Sequence, residues 1–473
     1  MKFLNRTEEK ARLDTLLDSP RGEFACVYGR RRCGKTRLLR EVISKRENVV
    51  YFLADQSEKS LQISRLKDEV AIQIPIFQDL EIKDWGKFFD LWRAYAPKGS
   101  VLVLDEFPYL VRMAPELPSI IQRTVDVFAD TGNKIIICGS SQRMMQGFVL
   151  SAGEPLYGRA REIIKVEPLE FKWLKSAFPD RQKRELLCLW AVYGGVPRYW
   201  EIAESDANWL ESVKRNIFNP LGVLHDEPQF MLMDEVGDFA KASSLLSVIG
   251  GGANRISEIA SKLDRKATEL SHPLKRLLDL GFIEKDVPFG ADIESGKKSL
   301  YRVADPFLNF WYKFALPNRS RLEFLEDADS VRDFNHKFDV YLGDVWERLV
   351  RSRLAKEWRG VSRWWGTGTN RQKMEIDIVG ESFDYKTLLV GEVKLSANEK
   401  DVERIKRDLV KKAEALPFRG KYDSLRVEVY VADEMECFNA EGAEELRRHF
   451  YKINRIGRKS CFGVKTERFC GKI

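Results

Sequence analysis

Long apolar runs are missing from this sequence. Stretches such as 101–104 and 135–138 stay far below the ~18 residues that a membrane span needs. The opening MKFLNRTEEKARL has no apolar core of signal-peptide length, so the chain is expected to begin near Met1 in the cytoplasm, without a membrane partner. Cysteine is sparse: Cys26, Cys33, Cys138, Cys188, Cys437, Cys461 and Cys470 include no CxxC, and the four histidines are as dispersed. That spacing excludes a zinc framework and a disulfide scaffold, as suits a reducing compartment. Repeats and low-complexity segments are lacking too. With 44% apolar and 32% charged residues, wholesale disorder is excluded.

What is present is length and an uneven charge. The 473 residues correspond to three or four domains at ~100–200 residues each. The formal net charge is only +7, yet residues 335–473 hold 29 basic against 23 acidic side chains. Segment 447–473 alone has nine bases and one acid, Glu467. A basic end of this kind predicts a polyanion partner, DNA foremost, although a charge run also serves as a solvated face.

The first ~165 residues alternate short apolar runs (24–28, 49–53, 101–104, 135–138) with amphipathic stretches such as 36–44 and 120–129. Apolar runs of four or five suit strands buried on both faces of a parallel sheet, and the stretches between them suit crossover helices. Residues 168–239 read as helical, broken at Gly194-Gly195. Residues 240–305 read as three helices and two strands, and the acid-rich 316–335 as a linker. A final α/β segment follows, with a helix at 338–358, strands at 374–379, 387–392 and 425–431, and a helix at 400–416. The expected division is therefore 1–167, 168–239, 240–316 and 336–473.

The strongest motif is Gly29-Arg30-Arg31-Arg32-Cys33-Gly34-Lys35-Thr36, followed by Arg37. It is a full GxxxxGK[ST] match between a strand and a helix. Gly29 and Gly34 let successive backbone N–H groups turn inward as an anion nest at a helix N-terminus. Lys35 can reach the β- and γ-phosphates of ATP, and the Thr36 hydroxyl can ligate Mg²⁺. Seventy residues on, Val101-Leu-Val-Leu104 ends in Asp105-Glu106, which places one carboxylate on the metal and the other on the attacking water. Strand 135–138 ends in Gly139-Ser140-Ser141, and a hydroxyl there is expected beside the γ-phosphate.

These elements resemble the archaeal-type ATPase family of the AAA+/STAND group of P-loop NTPases. The matching residues are Phe3-x-Asn5-Arg6-x-x-Glu9, GRRRCGKT, LDEFPYL at 104–110, GSS, Leu156-Tyr-Gly158-Arg159 and Gly194-Gly-Val-Pro197-Arg198. The resemblance implies that Phe3–Arg6, with Asn5 and Arg6 as its binding residues, borders the adenine and that Arg159 is a candidate arginine finger. It also implies that Gly195–Pro197 touches the nucleotide as a lid and that Arg198 senses the γ-phosphate. Read from the residues alone, Arg159 and Arg198 serve equally well as surface salt bridges. Cys33 reads as a small buried residue or as an oxidation-sensitive one.

Residues 240–305 read as a winged helix, with helices at 257–263 and 265–280. Arg265, Lys266, Thr268, Ser271, His272, Lys275 and Arg276 lie on the second helix, and Lys297-Lys298 on the wing. A recognition helix presents such side chains to the major groove. In the AAA+/STAND group the same unit often packs on the ATPase as a switch, and both readings stand.

In the last third, Asp377 sits in an alternating strand and Glu392-x-Lys394 in the next. Glu392 and Lys394 share a strand face, and a hairpin brings Asp377 beside them. Carboxylates with one lysine suit Mg²⁺-assisted phosphodiester cleavage. The pattern resembles the PD-(D/E)xK nuclease superfamily, and Glu347 resembles the helix-borne metal ligand of its Holliday-junction resolvase branch. Ile376 stands where that family usually has proline. A plain Lys–Glu surface pair, on an inactive nuclease-like fold, is the competing reading. The aromatic segments 307–314 and Trp364-Trp365 read as core or as base-stacking surfaces. The expected fold is thus α/β: a P-loop NTPase parallel sheet with a helical lid, a winged-helix domain and a C-terminal α/β restriction-endonuclease-like domain.

Overall fold

The computed structural model describes residues 3–236, 238–291, 299–319 and 328–432. Its first sheet has five parallel strands: β1 (Glu23–Tyr28), β2 (Val49–Leu53), β3 (Val101–Asp105), β4 (Lys134–Gly139) and β5 (Glu162–Lys165), in the order β2-β3-β4-β1-β5. Successive residues of the central strands feed different cores. Ala25, Val27, Val103 and Ile136 pack on one face, whereas Phe24, Cys26, Leu102 and Ile137 pack on the other. That alternation is why continuous apolar runs were needed: both faces are covered. Strand β5 was not anticipated. Its four residues, EIIK, pair with β1 and carry only one buried side chain, so neither its length nor its pattern stands out.

Within 240–305, the segment expected as a winged helix, lie the helices Ile256–Lys262 and Ala267–Asp279, then β6 (Ile283–Asp286) paired antiparallel with β7 (Leu300–Val303). Lys297 and Lys298 fall outside the described residues, as does segment 447–473. The aromatic stretch 307–314 is core, with Phe307, Phe310, Trp311, Tyr312 and Phe314 all buried.

One boundary differs from expectation. The helix beginning the last segment runs Ala328–Leu354, so much of the expected linker 316–335 is helix. Its Phe334, Phe338 and Tyr341, spaced by three or four residues on one helix face, stack into the aromatic core. Phe334 lies 5.4 Å from Phe314 and 5.6 Å from Phe338, centroid to centroid.

The C-terminal sheet has the order β11-β10-β9-β8, from β8 (Arg359–Thr367), β9 (Lys373–Glu381), β10 (Thr387–Lys394) and β11 (Ser424–Val431). Pairs β8/β9 and β9/β10 are antiparallel. Pair β10/β11 is parallel, connected across the helix Glu399–Glu414, which buries Leu409 and Ala413 against Ile376, Leu388 and Val390. Among the described residues no helix is long and apolar enough to cross a membrane.

Candidate nucleotide site and C-terminal carboxylate set

The loop between β1 and the helix Lys35–Ile43 is built for close approach. A side chain at Gly29 would collide with the Val166 carbonyl, 2.3 Å from its Cβ position. Gly34 has φ 90° and Arg32 φ 67°, left-handed conformations that turn neighbouring N–H groups to one side. Lys35 is buried, and its Nζ donates to the Gly29 and Arg30 carbonyls at 2.9 and 3.1 Å. Cys33 is fully buried, and burial raises its thiol pKa. It is therefore a packing residue.

Asp105, at the C-terminal end of β3, is wholly buried. Its Oδ2 accepts from Thr36 Oγ1 at 2.7 Å and from Tyr51 OH at 2.5 Å. Burial, and then the Asp105 carboxylate, push the Tyr51 hydroxyl upward, so it stays protonated as a donor. Tyr51 was not singled out in the sequence. Its only signal was register: β2 pairs with β3. Glu106 stands at φ 53°, and its Oε1 accepts from Ser140 Oγ at 2.6 Å. Two hard oxygen donors, Thr36 Oγ1 and Asp105 Oδ2, thus converge beside the anion nest, and this donor set fits Mg²⁺.

The arginines expected around the nucleotide have protein partners. Asn5 and Arg6 are both left-handed, at φ 60° and 73°. Arg6 is buried, donating to the Cys33 carbonyl at 3.1 Å and the Glu167 carbonyl at 2.5 Å, so it braces the loop from behind. Arg30 is ion-paired with Asp305, Arg32 lies 3.1 Å from Glu227 Oε2, and the Arg31 guanidinium sits 6.0 Å from the Phe230 ring. Arg37 and Arg198 share Glu201, at 3.2 and 3.0 Å. Pro197 opens the helix Pro197–Glu204. Arg159 makes a two-pronged pair with Asp126, at 2.8 and 3.1 Å, the salt-bridge alternative held open above.

In the C-terminal sheet the β9/β10 ladder reaches Gly391↔Ile378, so Asp377 and Glu392 flank each other one step on. Asp377 Oδ2 accepts from the Val393 N–H at 2.9 Å. Lys394 Nζ donates to Glu392 Oε1 at 2.9 Å, and Lys412 Nζ lies 3.6 Å from Glu392 Oε2. Burial opposes the charge on Lys394, but Glu392 holds its pKa above the usual range. Glu347, on the helix Ala328–Leu354, faces Arg351 at 3.3 Å. Burial and then the Asp377 charge raise Glu347 to about 7, and burial and then Glu392 raise Asp377. The three carboxylates feel one another but do not form one cage. Among the described residues no group of three or more His, Cys, Asp or Glu side chains is spaced to hold a metal. Each acid is instead turned to its own N–H or cation.

A phosphate loop leading from β1, with an acidic strand one strand removed from it on the same parallel sheet, defines a P-loop nucleoside triphosphatase. Residues 3–202 match a family described as an ATPase domain predominantly from Archaea, and residues 311–405 one described as archaeal and bacterial proteins of unknown function. An uncharacterized protein of Methanocaldococcus jannaschii, MJECL04, is 31% identical over 422 residues, spanning 87% of this chain and 92% of that one. This chain belongs to that archaeal-type ATPase family. Among solved structures, the Walker-type ATPase PABY2304 of Pyrococcus abyssi shares the fold at TM-score 0.50 and 20% identity, over 66% of this chain and 96% of that one. The Aeropyrum pernix ORC2 protein aligns at TM-score 0.44 and 14% identity, over 67% of this chain and 94% of that one.

Proposed function

We propose that the chain binds and hydrolyses Mg·ATP at Gly29–Thr36, and that its winged helix contacts DNA under control of the nucleotide state. The observation that carries this reading is the meeting of Thr36 Oγ1, Asp105 Oδ2 and the Ser140-held Glu106 beside the phosphate loop. Backbone amides of residues 29–34 cradle the phosphates, and Lys35 exchanges its carbonyl partners for phosphate oxygens. Thr36 and Asp105 would hold the metal, which when bound neutralises charge on the phosphate oxygens. Glu106 orients the attacking water and accepts its proton. Asp126 and Glu201 claim Arg159 and Arg198 as ion pairs, so neither is assigned a part in the chemistry. Exposed Lys262, Arg265 and Lys266 around the turn between the two helices, and Lys275 on the second, support phosphate contact by this end of the winged helix.

The test is a titration of the full chain with Mg·ATP together with phosphate release. Lys35→Ala should abolish turnover, and hydrolysis by Lys35→Ala at the wild-type rate would overturn the assignment. A second reading, DNA cleavage at the C-terminal set, is favoured by the adjacency of Asp377, Glu392 and Lys394. Its test is nicking of supercoiled plasmid with Mg²⁺ or Mn²⁺. Nicking lost in Asp377→Ala and Glu392→Ala supports cleavage, and intact plasmid with wild-type protein excludes it.

A further inference from the structure

The three consecutive arginines of the phosphate loop need an explanation that the nucleotide does not supply. The backbone of the loop faces the anion nest, while its side chains run the other way. Arg30 pairs through Nη1 with Asp305 and reaches Met231 Sδ through Nη2 at 3.0 Å. Arg31 lies over Phe230, and Arg32 meets Glu227. Met231, Phe230 and Glu227 all belong to the helix Glu227–Glu235. Asp305 lies two residues after the winged-helix strand β7 and caps the helix Pro306–Phe310.

Both acids are held firmly on their own side. Glu227 is 1% exposed and its Oε1 accepts from Tyr199 OH at 3.0 Å. Asp305 Oδ1 accepts the Leu308 N–H at 2.8 Å, which leaves Oδ2 aimed at Arg30. Arg32 is the non-glycine residue of the loop in the left-handed region, a conformation that persists only where its surroundings over-determine it. Its contact with Glu227 is such a restraint. A cavity of about 230 Å³ lies beside the Arg30–Asp305 pair, lined also by Ser140, Glu235 and Pro306.

We propose that Asp305 and Glu227 are positioning residues for nucleotide binding: through Arg30 and Arg32 they hold the phosphate loop in its anion-binding shape, so ATP affinity depends on docking of the winged-helix end. This rests on the P-loop reading above. Because a preorganised loop serves ground state and transition state equally, losing a tether raises KM and leaves kcat unchanged. By linkage, ATP in turn holds Asp305 in place.

The experiment uses the full chain and steady-state ATP turnover. Asp305→Asn is the chosen variant because asparagine keeps the helix cap while removing the charge that holds Arg30. KM for ATP should rise about tenfold, about 1.4 kcal/mol, with kcat close to wild type. Glu227→Gln should shift KM in the same direction. Arg30→Gln combined with Asp305→Asn should be no worse than either alone, since the two groups form one interaction. An unchanged KM in Asp305→Asn, with Lys35→Ala inactive, overturns the proposal but leaves the P-loop reading intact. Normal turnover by Lys35→Ala overturns the P-loop reading itself. A lower Tm at unchanged KM assigns the pair to stability alone and also overturns the proposal.

Discussion

Replacing Ser140 by alanine isolates the positioning of the catalytic carboxylate from everything else at the nucleotide site. The Ser140 hydroxyl donates to Glu106 Oε1 at 2.6 Å, while the Ser140 N–H is 3.4 Å from Oε2. Glu106 itself is at φ 53°, with its N–H on Asp105 Oδ1 at 2.9 Å. Its backbone is therefore pinned, and its side chain depends chiefly on Ser140. A hydrogen bond to a charged group contributes ~1.5–3 kcal/mol. Losing that much alignment in the transition state corresponds to a fall in kcat of roughly 10- to 100-fold. ATP affinity should stay within about threefold, because the hydroxyl bonds the carboxylate. Ser140 is half-exposed, so stability should stay within ~0.5 kcal/mol. Phosphate release measured over a range of ATP gives both constants. Glu106→Gln should be nearly inactive, and adding Ser140→Ala to it should change nothing further. A kcat for Ser140→Ala within twofold of wild type would refute the arrangement, as would additive losses in the double variant.

Phe334→Ala removes a side chain that is 2% exposed and ringed by Phe218, Phe314 and Phe338. Urea denaturation should report a loss of ~3–5 kcal/mol, and a loss below ~1 kcal/mol would mean that the first turns of the helix do not dock. Glu347 offers a pH test in metal-free buffer. Its folded pKa of about 7 exceeds the usual 4.5, so the folded state binds the extra proton and stability falls as pH rises between those values, by about 3 kcal/mol. Glu347→Gln should flatten that part of the profile and be the more stable protein at pH 8; a profile identical to wild type would contradict the burial argument.

Legibility of the sequence followed the reach of each interaction. Strands β1 to β4 were readable because two covered faces force unbroken apolar runs, and the phosphate loop because its glycines serve local backbone geometry. Asp105 and Glu106 were readable for the same local reason. Tyr51 was not: its hydroxyl matters only because β2 happens to lie beside β3 in register. Strand β8 was read only as the pair Trp364-Trp365, since a strand with one buried residue in nine has no apolar stripe. Asp377, Glu392 and Lys394 were brought together as the hairpin logic required. Whether three carboxylates point into one cage depends on rotamers and on competing cations such as Arg351 and Lys412, which spacing does not encode.

Packing also bears on how the two family-matched segments, 3–202 and 311–405, work together. They are not beads on a string. One continuous core runs from Ala25 and Val103 through Trp200 and Phe307 to Tyr341, Ile378 and Val393. Tyr341 OH donates to the Ala191 carbonyl at 2.7 Å, and Arg348 Nη1 to the Val303 carbonyl at 3.3 Å. The short path 303–306 touches both ends: Val303 holds Arg348, Asp305 holds Arg30 of the phosphate loop, and the Pro306 carbonyl accepts from Tyr341 at 3.3 Å. Cutting the chain between the segments would expose Phe310, Phe314, Phe334 and Tyr341 to water, at roughly 1.5–3 kcal/mol for each large apolar side chain. A truncated ATPase segment is therefore a different physical object from the intact chain, and nucleotide turnover and the C-terminal surface have to be measured on the same molecule.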